Sequence, residues 1–200
     1  SNSAPSYRIR VPHRERDGML TFKQGYIPCG EDVHVGFLPY TQANVARQAF
    51  KMLHQPYGWG EMSGGRDCSR FIMDVYASFG FRFPRNSKLQ ARVGINLGEA
   101  EGKTVREKRK ILDQAPPFLT TLRLPGHIML YAGRHKGRYY AIHSLWGIQK
   151  EGGVLDRIGG VVVSDLRLGE TGWNGSLIER LTDIRFVGDG RGLEKYRTAP

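Results

Sequence analysis

The side chains in this sequence best suited to covalent chemistry are Cys68, His127 and His143. A cysteine attacks only as its thiolate, so surroundings matter more than identity. Cys68 follows Asp67 at the head of an apolar pattern of helical period, Phe71, Ile72, Val75, Tyr76 and Phe79, which Gly80 ends. The thiol then falls in the first turn of a helix with Asp67 as N-cap. Free N–H groups and the helix dipole there favour an anion and could also hold a substrate oxyanion. A small buried hydrophobe would occupy the same place, and Cys68 alone reads more readily that way.

The histidines change the balance. From Gly126 the pattern alternates, which predicts strands over His127–Gly133 and Arg138–Ser144 around a turn at Arg134–Gly137. Pairing Tyr131 with Tyr139 sets His127 directly against His143 on one face, about 5 Å apart at Cβ. A general base needs a polar neighbour to fix its tautomer, and two opposed imidazoles can act as base and orienter for one thiol. Zinc is the competing chemistry, with the same three side chains as ligands and an open fourth position. No Cys-x-x-Cys or His-x-x-x-His pair supports it, and neither metal nor cofactor is expected. His13, His34, His54 and His135 have loop or helix settings and receive no role. Cys29, in the turn Pro28-Cys29-Gly30, is not expected to pair with Cys68.

Several elements must position these groups. Thr41 is a predicted N-cap for a helix that buries Val45, Ala49, Met52 and Leu53 before Pro56 stops it. A glycine and aromatic loop, Tyr57 to Gly65, leads into the Cys68 helix. Thr104–Asp113 reads as a third helix with a solvated basic face, ended by Pro116-Pro117. Gly160–Ser164 and Ile184–Val187 read as further strands. Near the start, Tyr7–Val11 and Met19–Phe22 flank an Asp17-Gly18 turn, and Arg191 onward reads as a loose tail. Helices first and an antiparallel sheet second make the class α+β.

At 200 residues with 40% hydrophobic and 24% charged content, the chain is one ordinary soluble domain with a small appendage. A net charge of +11 suits a polyanionic wall, an acidic peptide or nucleic acid. The basic run Arg106–Lys110 lacks the aromatics that stack on bases, so no nucleic acid is expected. No apolar run is long enough to span a bilayer. Ser1–Ala4 reads as a processed or appended end without the pattern of a signal peptide.

Five ordered motifs carry a resemblance: Pro56-Tyr57-Gly58-Trp59-Gly60, Gly65-Arg66-Asp67-Cys68-Ser69, Pro84-Arg85-Asn86-Ser87 with Gln90, Pro125 to Gly133, and Ala141-Ile142-His143-Ser144. Together they resemble the NlpC-type cell-wall cysteine peptidases, over Thr41 to about Gly188. The resemblance implies a papain-like domain over 41–190, after a partial SH3-like β segment over 1–40 and before a tail over 191–200. It implies Cys68 as nucleophile, His127 as base and His143 as third polar member. Tyr57 would stand beside the thiol as an oxyanion donor, and Asp67 and Ser69 would hold the free amine of a peptide stem. Trp59 would line the substrate site. Glu61 and Arg70 depart from the usual glycines and bring side chains to the cleft.

The implied reaction is hydrolysis of the γ-D-glutamyl–diamino acid bond of peptidoglycan stem peptides, in the periplasm, cell envelope or outside the cell. An amidase or acyl transferase on another amide or ester is the enzymatic alternative, and a wall-polymer binding module the non-catalytic one. In relatives, the SH3-like module walls off the cleft and selects a free N-terminal L-alanine. Here Asp32 to Tyr40 resembles only its exit into the enzyme.

Overall fold

The computed structural model describes residues 5–197. Ser1 to Ala4, read above as an appended end, and residues 198–200 of the expected tail lie outside the described residues. The chain divides into two compact units, Ser1–Phe37 and Leu38–Pro200.

The first unit holds one hairpin, strands β1 (Ser6–Arg14) and β2 (Leu20–Pro28), paired antiparallel from Ser6↔Pro28 to Arg14↔Leu20. Its turn is where Asp17-Gly18 predicts it, and Asp17 Oδ1 accepts from the Met19 N–H at 3.0 Å. The strands run longer than their alternation suggests. Two strands are fewer than a barrel needs, and the rest of an SH3-like module has no counterpart among the described residues.

The second unit begins with helix α1 (Gln42–Lys51), capped by Thr41, whose hydroxyl accepts from the Asn44 N–H at 3.2 Å. Helices α2 (Cys68–Ala77) and α3 (Ser87–Gln90), strand β3 (Ile95–Asn96) and helix α4 (Val105–Leu112) follow. Then come strands β4 (Thr120–Leu124), β5 (His127–His135), β6 (Arg138–Gln149), β7 (Leu155–Asp165) and β8 (Asp183–Phe186), and helix α5 (Gly190–Arg197). One six-stranded antiparallel sheet has the order β3-β8-β4-β5-β6-β7.

Alternation along the central strands splits the core into two layers. Ile128, Leu130 and Ile142 meet α1 and α2, where Phe71, Ile72, Val75 and Tyr76 are fully buried. Each such side chain contributes roughly 1.5–3 kcal/mol against the ordering entropy of the chain. Met129, Tyr131 and Ala141 face the other way, onto Leu112 of α4 and onto Leu177, Ile178 and Leu181. The class is α+β, as read from the sequence.

Three expectations need correction. The β5–β6 turn is the two-residue Lys136-Gly137 linking His135↔Arg138, not a four-residue turn, and a bulge follows between Tyr131 and Gly133. Tyr131 therefore faces Ala141 rather than Tyr139, and His127 and His143 are not directly opposed. Second, the basic face of α4 is not wholly solvated. Lys108 is buried, its ammonium donating to the Glu179 carbonyl at 2.6 Å, and burial lowers its pKa. Third, the expected tail is helical as far as Arg197. Asp189 accepts from the Gly192 N–H at 2.7 Å at its start, and Leu193 is buried in the core.

Candidate active site

Helix α2 starts at Cys68 because Asp67 is extended and its carboxylate accepts from the Arg70 N–H at 2.8 Å. The thiol is buried and turned toward β5, where the Ile128 N–H reaches it, joined by the N–H groups of Ser69 and of Cys68 itself. Burial nevertheless pushes the thiol above its ordinary pKa, and the Asp67 carboxylate adds to the rise. The helix start does not by itself supply a thiolate, so a base is needed.

That base is positioned by a two-residue turn. Pro125-Gly126 joins Leu124 to its partner His127, with Gly126 at φ 79° in the place a type II turn reserves for glycine. His127 is thus the first residue of β5, one residue before the N–H that meets the sulfur. Its Nε2 lies 2.6 Å from His143 Nδ1, with ring centroids 4.9 Å apart and planes at 64°. His143 Nε2 lies 2.9 Å from Ser164 Oγ. The contact is a diagonal one: the observed register is shifted by two residues from the expected one, which keeps both imidazoles on one face. Ser164 stands diagonally from His143 on β7 in the same way. A polar relay therefore crosses three strands.

Both imidazoles are held neutral. Burial first, and the Arg180 guanidinium second, push His127 down to about 4. His143, fully buried, lies well below the ordinary range through burial and its neighbour His127.

Tyr57 reaches the site through backbone pairing on the edge of β7. Its N–H donates to the Gly159 carbonyl at 2.8 Å, and Pro56 bridges Gly160. Gly160 permits this approach, since a Cβ there would stand 2.8 Å from the Gln55 carbonyl oxygen. The Tyr57 hydroxyl is raised far above its usual pKa by burial, with the Cys68 sulfur and the Asp67 carboxylate adding to it. The nearby Cys68 N–H opposes that rise.

Two cavities meet at this point. One, of about 280 Å³, is lined by Cys68, Asp67, Ser69, Arg85 and Ser87. The other, of about 320 Å³, is lined by His127, Trp146 and Arg180. Tyr57, Trp59 and Gly126 border both. Tyr57, Trp59 and Trp146 pack at centroid distances of 5.1, 5.6 and 5.9 Å. The structure thus joins His127 to His143 by a direct hydrogen bond and places Cys68 on the adjoining cavity.

The expected amine-binding pair is already occupied. Arg85 donates to both Asp67 carboxylate oxygens, at 2.6 and 3.1 Å, and to Ser69 Oγ at 2.7 Å. Arg85 also donates to Glu61 at 2.9 Å, and Arg70 joins Glu61 to Asp74 at 2.8 and 2.7 Å. Glu61 has φ 72°, which explains why glycine suits that position; its two ion pairs offset a strain of about 1 kcal/mol. Gln90, fully buried, donates to the carbonyls of Ser69 and Pro84 and ties the Arg85 segment to α2.

Sequence reasoning assigned no role to Arg85, Trp146, Ser164 or Arg180. Arg85 lies inside a quoted motif and Ser164 on an expected strand, so both carried a signal. Arg180 carried none. Among the described residues, no three His, Cys, Asp or Glu side chains come together as metal ligands.

This geometry has a known setting. The NlpC/P60 family model matches residues 54–150, the stretch that contains Tyr57, Cys68, His127 and His143. An NlpC/P60 endopeptidase from Photobacterium damselae subsp. piscicida superposes with a TM-score of 0.70 at 18% identity, over 90% of this chain and 46% of that one. An NlpC/P60 family protein from Bacillus cereus gives 0.56 at 18% identity, over 94% and 52%. The chain therefore spans about half the length of these two structures. No curated protein matches it. At such identity the likeness is one of fold, and the NlpC/P60 match covers residues 54–150 of the second unit.

Proposed function

We propose that this protein is a cysteine endopeptidase of bacterial peptidoglycan that cleaves the bond between γ-D-glutamate and the diamino acid of stem peptides. The observation that carries this reading is the relay His127–His143–Ser164, whose first residue directly precedes Ile128, the residue whose backbone N–H meets the Cys68 thiol. His127 Nε2 carries the hydrogen and donates to His143 Nδ1, which leaves Nδ1 of His127 to take the thiol proton. His143 Nε2 in turn donates to Ser164 Oγ. Such catalytic contacts tighten on substrate binding, which draws the imidazole and Cys68 together.

Cys68 Sγ then attacks the γ-carbonyl carbon, and the oxyanion forms against the Cys68 N–H and the Tyr57 hydroxyl. The imidazolium gives its proton to the departing amine, and water deprotonated by the same imidazole releases the acyl group from sulfur. Both groups begin neutral, so general-base removal of the thiol proton opens the reaction. Asp67 and Ser69 recognise the acyl side of the stem once Arg85 yields or rearranges, while Trp59, Glu61 and Arg70 shape the rim. The NlpC/P60 match supports an envelope or extracellular site of action, and no helix is long and apolar enough to cross a membrane among the described residues.

Digestion of purified peptidoglycan followed by mass spectrometry tests this reading. New amino termini on the diamino acid are expected, and Cys68→Ala should abolish them while leaving the circular dichroism spectrum unchanged. Release at the wild-type rate by Cys68→Ala, or termini elsewhere, would overturn it. Termini elsewhere would favour an amidase acting on another bond.

A further inference from the structure

We infer that the cavity beside His127 is the leaving-group subsite and that Arg180 in it selects a substrate carrying a free carboxylate on the leaving amine. This rests on the hydrolase reading above and specifies which half of the substrate each cavity takes.

The assignment of sides follows from proton transfer. The acyl carbon must stand at Cys68, whose cavity holds Asp67, Ser69 and Arg85. The leaving nitrogen must stand where an imidazole can protonate it, and His127 opens onto the other cavity. Tyr57, Trp59 and Gly126 border both, so a chain lying across them places the scissile bond between the two.

The charge of the second cavity then sets what it takes. Arg180 is half-buried on its wall, and no Asp or Glu lines that cavity. Among the described residues, no carboxylate forms an ion pair with Arg180, whose one hydrogen bond is from its backbone N–H to the Ser176 carbonyl. The arginines around the first cavity differ: Arg85 and Arg70 each hold carboxylates of the protein. A guanidinium presents five donors in a planar fork that fits a carboxylate with two parallel bonds. Beside Arg180 the wall holds apolar and aromatic side chains, Leu145, Trp146 and Leu177, and the neutral amides of Gln149 and Asn174, so no negative side chain there competes for the guanidinium. An amino acid leaving through its α-amine carries a carboxylate on the carbon next to the departing nitrogen.

Two synthetic γ-D-glutamyl-diaminopimelate substrates, one with free leaving-side carboxylates and one with carboxamides, test the inference. The wild-type chain should prefer the carboxylate form in kcat/KM by roughly tenfold or more, the effect of one charge-assisted pair. The preference should sit in KM, fall to about one in Arg180→Met and return partly in Arg180→Lys. Calorimetric binding of both compounds to Cys68→Ala, which cannot cut them, with and without Arg180→Met, reads the same preference without turnover. Absence of cleavage with an Arg180-dependent binding preference would sink the hydrolase reading and keep the subsite. A wild-type ratio near one, or a ratio that survives Arg180→Met in both assays, overturns the subsite.

Discussion

The neutral state of the imidazole pair has a measurable effect on folding. His127 has a pKa of about 4 in the folded protein, against 6.5 for an unhindered imidazole. Above pH 6.5 neither folded nor unfolded chain carries the proton, and the contribution to stability is fully present. Between pH 6.5 and about 4 the unfolded chain binds a proton that the folded one refuses, so stability falls as pH falls. Below about 4 both take it and the loss stops growing. For His127 alone the loss amounts to about 2 kcal/mol at pH 5 and about 3 kcal/mol at its limit. His143 is shifted in the same direction and adds to it. Urea unfolding at pH 7.5 and pH 5 on the wild type and on His127→Gln gives the measurement. The variant should show an acid loss smaller by about 2 kcal/mol, in a window above that of ordinary carboxylates. Equal losses in both proteins, or an NMR titration of His127 near 6.5, would refute the buried neutral pair.

Two further perturbations separate relay from scaffold. Ser164→Ala removes the acceptor 2.9 Å from His143 Nε2 and should lower kcat roughly two- to tenfold, with KM unchanged, in a steady-state assay. Gly160→Ala forces a Cβ to 2.8 Å from the Gln55 carbonyl and should displace the Tyr57 segment. Thermal unfolding should then show a cost of about 1–3 kcal/mol, with activity lost well beyond the unfolded fraction.

Much of the site was legible because its geometry depends on parity rather than on register. The hairpin was read with the wrong turn, three residues out at His135↔Arg138, and without the bulge that returns one residue. The net shift of two leaves each side chain on its expected face, so the imidazoles still met. Cys68 was legible from the Asp67 cap and the apolar stripe of α2, which local sequence determines. Strand β4 was not, because Thr120–Leu124 is buried almost throughout and shows no alternation. Helix α5 was missed because its stability comes from Leu193 in a distant core. Arg85 could be read as a motif residue but not as the partner of Asp67, since that contact spans eighteen positions of intervening chain. Nothing local marks Arg180 either, because its meaning lies in the cavity formed by Leu145, Trp146 and Leu177 around it.

The relay has its outer end on an edge strand. Strand β7 closes the sheet, and beyond it the segment from His54 to Tyr57 covers only the stretch from Gly159 to Val161. Ser164 lies past that cover, where backbone hydrogen bonds open most easily. Fraying there releases His143 from its anchor while Cys68, Tyr76 and Ile128 stay packed in the core. On warming, catalytic competence should therefore decay at temperatures where hydrogen exchange has begun at the end of β7 and the protein as a whole is still folded.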